Sequence, residues 1–524
     1  MNKAFSHIIF ILSLAAGVFG QPELDISFNS TGRALSGFGG GSAEVKEVLV
    51  QPDGRIVAAG IWRDSAGPSY FALTRYNSDG SIDTSFGDDG RVVTDFDPAI
   101  ADEGANAAVL QPNGKIVAAG FVGVTTPGQR YFALARYNPD GSLDASFGSG
   151  GKVLTSITTG THEIRDAALG ADGTIVAAGS YHNGLGLQTL IAKYDAGGNL
   201  LWTKTDTRNN FVGGVNIAES VVILAGGSIL TCGNASGGPD SGITMTGYTP
   251  GGAYDFSLGA GGRIVMSNPG GMRLKALGLT ADNRFIAAGS LGADFLAARF
   301  FAIGSWDIAF NGSGSAVTPM GGSAAANSVA IGPNGKIVLA GTANTGAESF
   351  AAAVYTANGL PDTSFSGDGR LTFGFDGSTS ARANTAKIDG LGRIVIGGTA
   401  AGQFAVARLY TLRPAPASIS GQARTPDGTP IRGIRMSLTD SSGSTRWAIT
   451  SNFGFFTFEG VPTGQTYNLF VRGAKRYTFA SRDVGLNESV GDLEMIGVPN
   501  ELTNNGANGA ERALHKINRE VEKY

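Results

Sequence analysis

The chain has 524 residues, 81 of them glycine, with 42% hydrophobic and only 16% charged residues, enough for two or three domains and a large core. A formal net charge of −4 provides no basic face for nucleic acid or anionic lipid. One cysteine, Cys232, and four histidines rule out an internal disulfide and argue against a histidine metal site or a Ser-His-Asp triad.

The N-terminus reads as an export signal over residues 1–20: Lys3 supplies the positive end, residues 8–19 are apolar but too short to span a bilayer, and Gly20 precedes Gln21-Pro22. The expectation is a secreted chain, extracellular or associated with the cell surface, with no membrane span.

Residues 21–412 are dominated by a repeat. Ile56-Val57-Ala58-Ala59-Gly60 recurs as residues 116–120 and 175–179, and degenerate copies end at Gly233, Gly289, Gly341 and Gly398. Each copy follows a tight turn such as Pro52-Asp53-Gly54 or Pro112-Asn113-Gly114, whose Asp-Gly and Asn-Gly pairs accept the positive φ of a hairpin. A variable loop comes next, then an alternating run such as 70–76, a second Asp-Gly turn, a phrase of the type Ile82-Asp83-Thr84-Ser85-Phe86-Gly87 and a last run, 91–96. Four short strands per unit of roughly 55 residues, seven times over, read as propeller blades rather than coils of a β-helix. The small alanines suit blades that crowd toward an axis, and Cys232 stands at one of those alanine positions as a buried filler.

The Ser-Phe phrase occurs first at Leu24, before any core, and no copy follows the last core. Residues 24–38 are therefore expected to supply the outer strand of the seventh blade, whose other strands lie in 384–410, so that both chain ends close the ring and leave no free edge. The run VLQPNGKIVAAG…YFALARYNPDGSLDASFG resembles the delta-60 repeat family of bacterial extracellular repeats, most closely in repeats one, two and six. That resemblance implies a propeller and an extracellular location but no chemistry.

Arg413-Pro414-Ala415-Pro416 reads as a linker over 413–417. Residues 418–497 then alternate as strands with turns at Pro426-Asp427-Gly428, Ser441-Ser442-Gly443 and Pro462-Thr463-Gly464, which predicts a small sandwich. ISGQARTPDGTPIRGIRMSLTDSSG, GFFTFEGVPTG and YNLFVRG resemble a carboxypeptidase regulatory-like domain, a transthyretin-like sandwich found beside enzymes and non-enzymes alike, so no peptidase activity follows from it. Within the polar tail 498–524, Ala510, Leu514, Ile517 and Val521 share one face of a short helix. The fold class is thus all-β: a seven-bladed β-propeller closed by the N-terminal strand, then a small β-sandwich and a short C-terminal helix.

No catalytic residue, metal or cofactor is expected. The acidic turns lack the alternating oxygen set of a calcium loop. The in-register Asp83, Asp144, Asp255, Asp307 and Asp362 read as caps of backbone N–H groups, and Phe86, Phe147, Phe310 and Phe365 as apolar plugs. His162, Glu163 and Asp166 form an isolated cluster without a nucleophile, and His162 and His182 read as surface or loop histidines. Recognition is expected where loops vary, on the face where the first strand of each unit begins. Counting back from each core places Lys46, Asn106, Asp166, Glu219, Lys275, Asn327 and Asn384 around the channel mouth. The function expected is a secreted, non-catalytic binding or surface-scaffold protein for an extracellular glycan or protein; the alternative is a propeller hydrolase or lyase acting on extracellular polysaccharide with inward carboxylates.

Overall fold

The computed structural model describes residues 23–97, 99, 102–123, 129–157, 160–182, 184–208, 213–237, 241–267, 271–410, 417–440, 445–461, 465–472, 474–486 and 490–500. The export segment, the 413–416 linker and the helix expected at 510–521 lie outside them. The chain divides into two compact units, Met1–Thr411 and Leu412–Tyr524; the described residues of both are all-β.

In the first unit, β1 (Arg33–Ser36) precedes a four-stranded antiparallel sheet made of β2 (Ser42–Val50), β3 (Ile56–Arg63), β4 (Ser69–Tyr76) and β5 (Arg91–Thr94). The same order recurs along the chain, and one eight-stranded sheet is two such sets joined by the single parallel bridge Leu187–Val215. In the last set, β1 takes the outer place: it runs antiparallel to Gln403–Leu409, with Arg33 opposite Ala407 and Ser36 opposite Phe404. Each first strand packs against the first strand of the following set, and Ala381–Ile388 packs against β2. This is a propeller-like arrangement. Repeat three departs from the rest, because its worn phrase is itself the outer strand, Leu200–Asp206, arriving directly after a turn.

The core motif explains itself in the pairing of first and second strands. In every such pair the register slips by one residue: between Val45 and Glu47, Ala105 and Ala107, Ile164 and Asp166, Ala218 and Ser220, Leu274 and Ala276, Ala326 and Ser328, and Ala383 and Thr385. This β-bulge leaves one residue without a partner and turns its side chain away from the sheet. The strand opposite it carries the motif glycine, and the bulged backbone leans onto that glycine. A Cβ on Gly120 would lie 1.9 Å from the Gly104 carbonyl oxygen, and one on Gly60 would lie 2.0 Å from that of Glu44. Space, not backbone conformation, demands glycine at these places. The preceding alanines, Ala58, Ala59, Ala118 and Ala119, are buried between neighbouring sheets, as is Cys232 in the same role.

Two further devices stitch the sets together. The arginine of the third strand reaches its own Ser-Phe phrase and the turn of the next set at once. Arg75 Nε donates to Asp83 Oδ2 at 2.7 Å, its guanidinium covers the Phe86 ring at 4.5 Å, and it also donates to the Pro139 carbonyl. Arg136, Arg299 and Arg408 repeat this with Asp144 and Phe147, Asp307 and Phe310, and Asp25 and Phe28. Arg408 belongs to the last set, Asp25 to the N-terminal segment, and the Ser78 carbonyl that Arg408 also reaches lies in the first set, so this copy ties the two ends of the first unit. Burial pushes the Asp25 carboxyl up, but Arg408 and the hydroxyls of Ser27 and Tyr410 outweigh it and hold it below the usual carboxylate range. The aspartates also accept the hydroxyl and backbone N–H two residues on, as Asp83 does from Ser85. The second device is a buried tyrosine hydroxyl that meets a hydroxyl on the previous set's outer strand: Tyr76 with Ser36, Tyr137 with Thr94, Tyr194 with Thr155 and Tyr355 with Thr318.

The second unit faces a three-stranded sheet (Phe455–Val461, Ala417–Arg424, Val490–Ile496) and a four-stranded one (Thr445–Ile449, Arg435–Thr439, Gln465–Arg472, Arg482–Leu486). Ile419, Met436, Leu438, Phe456, Phe458 and Leu469 form its core.

Gly120→Ala must drive a methyl group into the Gly104 carbonyl. The expected cost is about 1–3 kcal/mol or more, read as a lower denaturation midpoint at unchanged slope. An unchanged midpoint would show that the bulge does not press on this glycine.

Candidate functional site

The bulges turn seven side chains toward one place. Lys46, Asn106, Glu219, Lys275, Asn327 and Asn384, six of the residues expected from the sequence, are each the residue that the register slip skips, and all line one cavity of about 290 Å³. In repeat three the skipped residue is Arg165, not Asp166. The sequence count was one residue off there, and Asp166 falls in register with Glu47, Ser220, Ser328 and Thr385. It still lines the same cavity, together with Arg165 and Glu47.

The ring is knitted from set to set. Asn106 Nδ2 donates to the Ile164 carbonyl at 2.8 Å and to Glu163 at 3.0 Å. Asn327 donates to the Ala383 carbonyl at 2.8 Å, and Asn384 donates to the Val45 carbonyl and Glu44, both at 2.8 Å. In each case the accepting carbonyl immediately precedes the next bulged residue. The charged members pair as well: Glu219 lies between Lys275 at 2.9 Å and Arg165 at 3.2 Å, Lys46 meets Glu44 at 2.9 Å, and Lys387 meets Glu47 at 2.9 Å. Asp166 accepts from Ser220 Oγ at 2.6 Å and the Val221 N–H at 2.8 Å. Burial pushes its carboxyl up, against the pull of those two donors. Burial pulls the Lys387 ammonium down, yet Glu47 overcomes it and sets the group above its ordinary value.

Asn106 and Asn384 thus spend two amide donations each on the ring and Asn327 one, which leaves their amide oxygens as acceptors. Four cations (Lys46, Arg165, Lys275, Lys387) balance four carboxylates (Glu47, Glu163, Asp166, Glu219), and no aromatic ring lines the space. This chemistry suits hydrogen bonding to a small polar molecule more than it suits apolar packing.

Three residues before the bulge, the first strands of repeats two to four carry buried polar side chains, Glu103, His162 and Asn216. The surface or loop position expected for His162 is incorrect. The ring is fully buried, stacks on Tyr181 at 5.9 Å between centroids and has Nδ1 3.0 Å from the Arg130 carbonyl, because it sits where its strand passes between neighbouring sheets. Burial lowers its pKa. His162 and Glu163 alternate along one strand, so the buried His162 does not join Glu163 and Asp166, which both line the cavity. His182 is exposed at a strand end. Among the described residues no group of three His, Cys, Asp or Glu side chains is placed to hold a metal, and no helix is long and apolar enough to cross a membrane. Turn aspartates are occupied locally, as Asp79 is by Ser81 and Asp140 by Ser142.

The sequence reading missed the arginine clips and the tyrosine latches, although both had a signal: the Arg-Tyr pair that closes third strands, at 75–76 and 136–137.

The chain carries DUF5122 beta-propeller repeats, a family described as a domain of unknown function, matched at residues 51–86, 111–147 and 332–365, and a carboxypeptidase regulatory-like domain at 418–492. The matched repeats are one, two and six. No curated protein matches the chain. Among solved structures it is similar to a streptogramin B lyase (11% identity, 70% of this chain and 98% of that one, TM-score 0.40) and to the RRP9 WD40 repeats (9%, 72% and 97%, 0.40). It is also similar to PorZ, a bacterial surface component of the type-IX secretion system of Porphyromonas gingivalis (12%, 89% and 60%, 0.37). Scores this low assign no function.

Glu103 accepts the N–H groups of Phe96 and Asp97, and burial, with Asp95 nearby, raises its pKa from 4.5 to about 7 against those donors and Lys152. A carboxyl that binds its proton more tightly when folded stabilises the fold fully below pH 4.5, and this contribution is lost as the pH rises through about 7. Glu103→Gln should therefore gain melting temperature relative to the parent between pH 4.5 and 7 and hold that gain above. A difference independent of pH would contradict the assignment.

Proposed function

We propose that this chain is a secreted, non-catalytic binding protein: a closed seven-bladed propeller that takes a small polyhydroxylated ligand, of monosaccharide size, in the cavity ringed by its bulged residues. The observation that carries the reading is the convergence of one bulged polar side chain from each repeat on a single polar cavity of about 290 Å³, near the lower end of ligand pockets in size. Closure is supported by the pairing of β1 with Gln403–Leu409 and the packing of Ala381–Ile388 on β2. Export is supported by the composition of residues 1–20. Free amide oxygens at Asn106, Asn327 and Asn384 offer acceptors for hydroxyl groups, and Lys46, Arg165 and Lys275 offer donors. The balanced charges favour a neutral ligand over a strongly charged one.

One observation favours the second reading, a hydrolase or lyase acting on polysaccharide: Glu47 and Asp166 share the cavity, with Lys387 beside Glu47. Against it, both carboxylates already accept hydrogen bonds from the ring, Glu47 from Thr385 and Asp166 from Ser220.

A panel of monosaccharides, sugar acids and polyols tested with the mature chain by calorimetry should contain a binder that is not turned over. Lys275→Met leaves Glu219 its Arg165 partner and should weaken that binder about tenfold or more, the loss of a charge-assisted hydrogen bond, with a melting temperature close to the parent's. A panel without a binder, or binding indifferent to Lys275, would overturn the proposal. Turnover of a polysaccharide that is lost in Glu47→Gln would replace it with the second reading.

A further inference from the structure

The four-stranded sheet of the second unit has one face in the core and one face open. Met436, Leu438, Leu469 and Val471 point inward. The alternate residues carry a set of side chains that composition alone would place inside a protein. Trp447 is 48% exposed, Ile449 65% and Phe470 38%. Their positions are fixed by register: Trp447 and Phe470 lie opposite Ser437 on either side, and Ile449 and Arg472 lie opposite Arg435. Two rows result, one aromatic with a buried serine between the rings, one with two guanidinium groups beside an isoleucine.

The arginines belong to the aromatic row as much as to their own. The Arg435 guanidinium lies 4.8 Å from the Trp447 ring centroid and that of Arg472 lies 5.7 Å from the Phe470 centroid, the geometry of a cation held by a ring face. Neither arginine has a carboxylate partner among the described residues, whereas Arg424 in the same unit pairs with Glu494. Two exposed rings, each with an uncompensated cation, need a partner that is flat, partly apolar and negatively charged.

We infer that this face binds an acidic polysaccharide, with sugar rings lying on Trp447 and Phe470 and uronate carboxylates on Arg435 and Arg472. The register favours a glycan over a single-stranded nucleic acid, which has the same combination of flat rings and anions. Trp447 and Phe470 are two strand spacings apart, about 9.6 Å, with Ser437 as the floor. That separation suits an extended glycan of roughly twofold symmetry, whose alternate residues present the same face, whereas successive bases stack on adjoining aromatic platforms. The inference uses no residue of the polar cavity in the first unit and stands apart from it.

Affinity electrophoresis and calorimetry of the full mature chain with polygalacturonate, neutral dextran and oligo-dT test it. Polygalacturonate should be retained, less so as salt is raised. Trp447→Ala and Arg435→Gln should each weaken retention about tenfold, with the melting temperature unchanged because both side chains are exposed, and Trp447→Phe should restore much of it. Lys275→Met, a variant of the polar cavity, should bind polygalacturonate like the parent. The proposal is overturned if polygalacturonate is not retained, if dextran is retained equally, if oligo-dT is preferred, or if the double variant Trp447→Ala/Arg435→Gln binds as the parent does.

Discussion

The contact between a bulged backbone and a bare glycine is the constraint on which the first unit depends. Where the first strand slips by one residue, a carbonyl comes to lie about where a Cβ would be on the second strand: 1.8 Å from it at Gly233 and 2.0 Å at Gly341. Only glycine admits that approach, so the last letter of the Ile-Val-Ala-Ala-Gly motif is the imprint of the bulge on its neighbour. The bulge in turn frees a side chain from the alternation of the strand, which otherwise directs every residue into one or other intersheet contact. A packing motif and a ring of polar groups are therefore one feature seen from its two strands.

Around this contact the stability is divided among layers. Small residues in the second strands let neighbouring sheets close on one another. The four arginine clips tie their Ser-Phe phrases to the next turn, and four tyrosine hydroxyls tie an outer strand to the set that follows. Buried ion pairs of this kind contribute little net stability over apolar packing, but removing one partner alone is costly. Their repetition in register is best understood as fixing how one set sits on the next. The copy made by Arg408, Asp25 and the Ser78 carbonyl does this between the last set of the first unit, its N-terminal segment and its first set, where no peptide connection does.

Much of this was legible in the sequence, because repetition averages away the ambiguity of single segments. Seven copies of one phrase locate strands and turns that no single copy would, and the orphan phrase at Leu24 points to β1 lying beside the last set. The ring of polar residues was reachable by counting back from the motif glycines, since the bulge keeps a fixed offset from its glycine. In repeat three the same offset from Gly179 leads to Arg165; Asp166 departs from it by one residue, and as a neighbouring polar side chain it is easily mistaken for the bulged one. His162 was misplaced because a histidine beside a glutamate looks solvated in a list of residues; its burial depends on Tyr181 and on the Arg130 carbonyl, contacts from the second strand of its own set and from the neighbouring set. The clips were missed for a related reason: the Arg75–Asp83 pairing is local, but its purpose lies at Pro139, in the next repeat.

The polar ring requires that bulged residues from distant repeats meet around one cavity. Pulsed electron paramagnetic resonance between spin labels at Asn106→Cys and Asn327→Cys measures this directly, since the native Cys232 is buried at 1% exposure and escapes labelling. A shared cavity predicts a single narrow distribution at the short limit of the method. A long or broad distribution would contradict it, because the two repeats would then not share an axis.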